Sequence, residues 1–377
     1  MVTTAKATGG KKAVARKRGA VQAAAVPGED APVLILASRE SGGSLLAALL
    51  GAHPTFEDTP QINLLAFEAV WQLVQYGQIP RDTVLHGLLR YLAFRLTGEE
   101  TIQAVQTAQR WLARRADRTA AAVHAELRAL AAPRRFVDYS PLVAQNGAAM
   151  RRALAALPEN AVVVHVTRDP LSHGRAMSLP VWQSIMTSLD FWDRRGLYQA
   201  AMDVYEIGEQ YIDWSTRPPV FDPQFAWHRT QAAALELRDE LPPERWIHVD
   251  AGALGRDPDG VIGDLLTRLG AAADAATIAA MRGAGVSHWV RPGPYTVPFG
   301  MDFEMIGTFA AVAIAAEGQR GAAQSAAEAL PWRGDGQGLL PEVAALAGRL
   351  GYALANEGRL VFSPARGERP VGIGPAS

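Results

Sequence analysis

Arg39, Ser41, Gly42, Gly43 and Ser44 are the residues of this chain best suited to gripping an anion. They follow a short aliphatic run, Val33 to Leu36, and precede an apolar run that begins at Leu45. This order predicts a buried strand, a small polar turn from Ser38 to Ser44, and a helix. The first N–H groups of a helix have no partner within it, and the helix dipole places partial positive charge there. Gly42 and Gly43 let the backbone approach a ligand, Ser41 and Ser44 add hydroxyl donors, and Arg39 adds a fixed cation. Read alone, the pattern also describes an ordinary strand-to-helix turn. It is not a nucleotide-triphosphatase loop, because no Gly-Lys-Ser/Thr follows, and no Gly-x-Gly-x-x-Gly dinucleotide signature is present.

A second stretch repeats the theme. Ala161 to Val166 reads as another buried strand, followed by Thr167-Arg168-Asp169-Pro170. Pro170 suits the first turn of a helix, where a missing N–H costs nothing. Arg168 then sits at the carboxyl end of a strand, where open α/β sheets bind ligands. Two cationic mouths predict a ligand with two separate anionic ends.

Together these stretches resemble the sulfotransferases that use 3′-phosphoadenosine 5′-phosphosulfate (PAPS). In that family a Ser-Pro-Arg/Lys-Ser-Gly-Thr-Thr-Leu-Leu loop holds the 5′-phosphosulfate. An Arg-Asp-Pro segment, with a serine about two turns later, holds the 3′-phosphate. Further matches occur in order: His53-Pro54, Phe136 to Pro141 (Val-Asp-Lys-Ser-Pro in the family), Trp227, Pro243 to Val249, Asp257-Pro258 and Leu265 to Gly270. Thr59 to Glu68 resembles a segment of sulfotransferase domains in polyketide assembly lines, which sulfate a β-hydroxyl on a carrier-bound chain, and Leu330 to Leu354 also looks like theirs. The resemblance spans roughly residues 31 to 360.

It implies a P-loop-like sulfotransferase fold of the α/β class: a central, mainly parallel sheet with helices on both faces. It implies PAPS as co-substrate and a hydroxyl on a hydrophobic, carrier-bound or small-molecule acceptor. Arg39, Ser41, Gly42, Gly43 and Ser44 would hold the phosphosulfate, and Arg168 and Ser178 the 3′-phosphate.

The departures from the family pattern fall on reacting positions. Glu40 stands where the family has its catalytic Arg or Lys, with Arg39 one residue early; Gln61 replaces a Glu; Tyr139 replaces a Lys; and Ala176 takes the serine position, with Ser178 two residues on. Sulfuryl transfer resembles phosphoryl transfer, with negative charge growing on the bridging oxygen. A glutamate there would repel the donor, since preorganised electrostatics usually supplies the largest share of the rate. Either Arg39 replaces the missing cation, or the site has lost or changed its chemistry and binds a partner or another small molecule. Glu40 reads as a solvated residue paired with Arg39, or else as a general base. Tyr139 reads as a donor to a substrate oxygen or as a core aromatic. His165 falls inside a strand and reads as a core residue, while His53, His173 and His228 fall near the expected pocket. With no His-Glu-x-x-His spacing and no cysteine, no metal site is expected.

The elements that must position these groups are legible more coarsely. A chain of 377 residues, 49% hydrophobic, can bury a substantial core. Zero cysteines exclude disulfides and suit a reducing cytosol. No signal-peptide pattern is evident, and the apolar run Met305 to Ala316 is short of the roughly 20 residues that span a bilayer. The expectation is a cytoplasmic protein with no membrane segment. Residues 1–30 carry six Lys and Arg against two acidic residues and no aromatic, which predicts a disordered basic tail. Its composition favours a solubilising tail over an arm for nucleic acid or an acidic carrier protein. The sulfotransferase-like domain is expected over 31–365, with a flexible tail at 366–377.

Between the first helix and Phe136, Leu64 to Tyr76, Thr83 to Leu96 and Glu99 to Leu130 read as helices, with apolar residues at helical spacing such as Leu85, Leu88, Leu89 and Leu92. This insertion, about residues 64–132, is expected to form a helical lid over the acceptor. A second segment, Trp182 to Pro223, supplies aromatics from Trp182 to Phe221 that would complete the pocket.

Overall fold

Four consecutive aliphatic residues, Val33–Leu36, form the central strand β1, buried on both faces. Such uniform hydrophobic runs mark strands of a parallel sheet covered on each side. In a computed structural model, which describes residues 28, 30–77, 84–145, 147–179, 211–213, 215–283, 287–302, 329–354 and 360–362, β1 leads into helix α1 (Gly43–Gly51) and strand β2 (Phe56–Asp58). Strands β3 (Arg135–Tyr139) and β4 (Val162–Thr167) flank β1, both parallel to it. A short antiparallel ribbon, β5 (Ile212–Asp213) with β6 (Val220–Phe221), precedes β7 (Trp246–Asp250). The main sheet runs β2-β3-β1-β4-β7, with every pairing parallel.

This order decides where a ligand can bind. From β1 the chain first moves to the β3 side, then returns across β1 to reach β4. The connections therefore diverge between β1 and β4, the kind of switch point at which open α/β sheets bind ligands beyond the carboxyl ends of the strands. The turns after these two strands are the two cationic stretches of the sequence.

The insertion between β2 and β3 contains a 3-10 turn at Leu64–Ala66 and helices α2 (Val70–Tyr76), α3 (His86–Thr97), α4 (Ile102–Ala113) and α5 (Ala120–Ala131). The stretch Glu99 to Leu130 divides into α4 and α5. Thr101 and Thr119 cap them, each side chain accepting from the N–H three residues on. Gly98, at φ 78°, ends α3 in the left-handed conformation that favours glycine. The insertion packs on the sheet through Tyr91, whose ring meets Phe136 of β3 edge-on at 5.8 Å.

Beyond β3 come α6 (Gly147–Ala156), α7 (Pro170–Met177) after β4, and α8 (Gln224–Asp239). The helix Pro341–Arg349 packs on α8 through Trp227, Leu235, Val343 and Leu346. Arg333 ties the preceding segment down by ion pairs to Asp213, Asp222 and Asp335. Residues 1–27, the part of the aromatic segment from Trp182 to residue 210, Met305 to Ala316 and 366–377, to which expectations were attached, lie outside the described residues.

Candidate active site

The turn after β1 is buried throughout: Arg39 is 9% exposed, Glu40 1%, Ser41 0% and Ser44 1%. Glu40 is therefore not the solvated loop residue expected as one reading. Its φ of 57° and the φ of 85° at Gly42 place both in the left-handed region. That conformation costs a non-glycine residue about 1 kcal/mol or more. Ser38 Oγ and Ser41 Oγ share a hydrogen bond of 2.7 Å across the turn. Gly42 caps α1 without any side-chain hydrogen bond, so the helix N-terminus is not capped from its own N-cap residue. Gly43 is dictated by contact, because a Cβ there would lie 2.4 Å from the Tyr139 ring.

The turn after β4 is built from its caps. The Asp169 side chain accepts from the N–H groups of Leu171 and Ser172, and Pro170 opens α7. Arg168 is 2% exposed, and Trp227 Nε1 donates to its carbonyl at 2.8 Å. The tryptophan singled out in the sequence thus fixes the backbone that presents Arg168. Ser178 lies at the opposite end of α7, about 12 Å along the axis from its start. Its hydroxyl donates to the Gly174 carbonyl at 2.6 Å. Ser172, in the first turn, is the hydroxyl residue nearer to Arg168 in the chain, and sequence reasoning passed over it.

Beside the first of these turns, on the β3 side, lies a residue that sequence reasoning missed entirely. Asp302 is 4% exposed. Ser44 Oγ donates to its Oδ2 at 2.8 Å, Gln61 Nε2 to its Oδ1 at 2.7 Å, and Tyr139 OH to its Oδ2 at 3.2 Å. Its own N–H donates to Ser44 Oγ at 3.2 Å. Burial, with Asp302 beside it, pushes the Tyr139 phenol well above its ordinary range, so it stays protonated and donates; Arg39 opposes this shift and Glu40 adds to it. Those opposing effects place Arg39, Glu40, Tyr139 and Asp302 in one electrostatic neighbourhood. Tyr139 is a core aromatic, as one reading had it, and its hydroxyl is spent on a protein carboxylate rather than shown on a substrate oxygen. Nothing local in the sequence marks Asp302, which stands 241 residues beyond Gln61.

Asp302 is held by a clamp from the insertion. Gln61 N–H donates to Gly300 O at 2.7 Å. Arg90 of α3, 1% exposed, donates to the carbonyls of Trp289, Arg291 and Phe299, and to both carboxylate oxygens of Glu100. Asn63, at φ 52°, bonds Gln61 O and Val84 O and so fixes the strand-to-insertion turn. Asp138 accepts from Ser140 Oγ at 2.6 Å and pairs with His124 at 3.1 Å, so this acidic residue of the Val-Asp motif braces the β3 end.

The histidines separate by position. His53 is tied to Ala272 O and Thr55 N, away from the crevice, and burial lowers its pKa despite the Ala272 carbonyl. His165 pairs with Gln231 at 2.7 Å inside the sheet, as expected of a core residue, and burial lowers it to about 4. His173 is wholly buried in α7. His228 lies on α8. His248, unremarked in the sequence, joins Thr167 Oγ1 at 2.8 Å, and Thr167 also meets Tyr352 OH at 2.8 Å. Among the described residues no group of three or more His, Asp or Glu is placed to hold a metal, and no helix is long and apolar enough to cross a membrane.

A sequence model of the sulfotransferase family matches residues 32–275, which include both mouths. The chain belongs to the sulfotransferase family. Its fold is similar to the sulfotransferase domain of the Synechococcus PCC 7002 olefin synthase, at 20% identity and a TM-score of 0.58, over 86% of this chain and 95% of that one. It is also similar to the sulfotransferase domain from the curacin biosynthetic pathway, at 16% identity and a TM-score of 0.60, over 86% and 99%. A comparison with curated protein sequences finds no match. At these identities the likeness is one of fold.

Proposed function

We propose that this sulfotransferase-family chain transfers a sulfuryl group from PAPS to a hydroxyl of a hydrophobic acceptor, presented by a carrier protein. The observation that carries the reading is the pair of buried arginines, Arg39 and Arg168, at the carboxyl ends of the adjacent parallel strands β1 and β4. Arg39, Ser41, Gly42, Gly43 and Ser44 would hold the phosphosulfate at the N-terminus of α1. Arg168 would hold the 3′-phosphate, with Ser172 closer to hand than Ser178. Charge growing on the bridging oxygen would meet Arg39 and the α1 dipole. A cavity of about 720 Å³, lined by Trp71, Leu85, Leu89, Leu112 and Val297 among others, gives the insertion an apolar receptacle that suits the acceptor. The origins of the two similar domains in an olefin synthase and the curacin pathway support a carrier-bound acceptor.

A second reading, a repurposed sulfotransferase fold, is favoured by Glu40 and Asp302, two buried carboxylates beside the mouth meant for an anion. Titration calorimetry with 3′-phosphoadenosine 5′-phosphate separates the two. Binding that weakens at least tenfold in Arg168→Ala supports the PAPS reading. Absence of heat and of thermal stabilisation at millimolar nucleotide removes it and leaves the repurposed fold.

A further inference from the structure

Resting on the PAPS reading, the geometry points to Asp302 as the group that takes the proton from the acceptor hydroxyl. Three observations converge. First, Asp302 is a buried carboxylate at the N-terminus of α1, beside the turn assigned to the phosphosulfate. The Ser44 hydroxyl on its Oδ2, at 2.8 Å, is itself an alcohol on a carboxylate, at the distance a general base requires. An acceptor hydroxyl entering the crevice meets the same oxygen once Ser44 turns to the donor's phosphate.

Second, the two donors that remain are the residues that seemed to be losses. Gln61 stands where a carboxylate was expected and Tyr139 where a lysine was. Their side chains meet on one carboxylate, at 2.7 and 3.2 Å. The negative charge missing at position 61 is thus restored in space by position 302. Glutamine and a protonated phenol can both donate to it, so the two substitutions and Asp302 form one consistent set. Third, the carboxylate is preorganised. Gly300 is bonded to Gln61 N, and a glycine is needed there because its φ is 137° and a Cβ would lie 2.9 Å from Gly87 Cα. Arg90 fastens the segment before it.

The alternatives fit less well. His53 is engaged on the far side of α1 by Ala272 and Thr55. His248 is engaged with Thr167. Glu40 sits in the turn next to Arg39, where the donor's own charge would lie. In the step assigned here, the acceptor oxygen forms a bond to sulfur as the sulfur–oxygen bond to the 5′-phosphate breaks. The electron pair leaves with 3′-phosphoadenosine 5′-phosphate, and the hydroxyl proton passes to Asp302 Oδ2.

The test is Asp302→Asn beside Asp302→Glu, with radiolabelled PAPS and a panel of medium-chain β-hydroxyacyl thioesters. Asparagine keeps the shape, and Gln61 can flip its amide to pair with it. Expected are a loss of kcat on the order of 10²–10⁴ in Asp302→Asn, loss of the acidic limb of the pH–kcat profile, product-nucleotide affinity within threefold of wild type, and partial recovery in Asp302→Glu. A kcat within tenfold of wild type in Asp302→Asn overturns the inference and leaves the PAPS reading standing. So does nucleotide binding that tightens tenfold with transfer undiminished, which would make Asp302 an occupant of the anion site. A wild type that binds no nucleotide, or transfers to no acceptor of the panel, overturns the inference as well, and the first of these also removes the PAPS reading.

Discussion

Replacing Arg90 with methionine tests whether the insertion holds the segment that carries Asp302. The side chain is 1% exposed and Glu100, its ion-pair partner at 2.7 Å, is 15% exposed. Methionine keeps most of the stem, and with it contact to the Trp289 ring, which the guanidinium overlies at 5.8 Å. It removes both bonds to Glu100 and the donors to the carbonyls of Trp289, Arg291 and Phe299. Removing one member of a buried ion pair costs roughly 3–5 kcal/mol, because the other charge is left uncompensated. His288, 3.1 Å from Glu100, offsets part of that, so the lower end, about 3 kcal/mol, is expected. At an unfolding entropy of roughly 2.1 cal/mol/K per residue, a domain of this size shifts by about 1.4 °C per kcal/mol, so the melting temperature should fall by about 4 °C. Adding Glu100→Gln should restore about 1 kcal/mol or more, since it removes the stranded charge. Urea melts of the two variants measure this, and hydrogen exchange over residues 289–302 should accelerate in Arg90→Met. A loss below 1 kcal/mol with unchanged exchange in that segment would refute the clamp.

Other expectations follow from single contacts. Gly43→Ala places a methyl 2.4 Å from the buried Tyr139 ring; it should cost about 1–3 kcal/mol in a urea melt and weaken nucleotide binding. Glu40→Arg removes a carboxylate from beside the phosphosulfate turn and should tighten product-nucleotide binding by roughly tenfold, in calorimetry, with the tightening lost at high salt. Stability should fall on acidification from about pH 6.5 towards 4. Burial lowers His165 to about 4 and His248 to about 3, so over that window the unfolded chain binds protons that the native one refuses. Each of these two histidines contributes up to about 1.4 kcal/mol per pH unit to the slope; His86, lowered to about 4 by burial, adds in the same sense, and Asp58, raised to about 6 by burial, opposes it. His248→Gln should flatten it, and an unchanged slope would show that His248 is not held neutral. Glu100 acts in the same direction at lower pH: burial opposes its shift, but His288 and Arg90 outweigh it and hold the carboxyl low. Its stabilisation is lost as pH falls through that depressed value.

The sequence by itself determined the two mouths. Short β-branched aliphatic runs at Val33 to Leu36 and at 161–166, bounded by turn residues, read as buried strands, and the glycines, serines and Asp-Pro pair right after them read as turns into helices. These are local constraints of burial, φ and capping, and they reach a few residues either way. The family followed from their order along the chain. The break within Glu99 to Leu130 was also locally encoded, in Thr119 as a cap, but helical periodicity on both sides masked it. What only the tertiary structure decided was which groups the departing residues meet. Gln61, Tyr139 and Asp302 come from the insertion's edge, a strand end and a loop 241 residues beyond Gln61, and no periodicity or spacing links them. Their association depends on strand order, which puts β3 beside β1, and on a buried arginine that satisfies three distant carbonyls. Low-dielectric burial then forces every polar group to find a partner. That requirement acts through space, so the partner of Gln61 and Tyr139 is a carboxylate from a distant part of the chain.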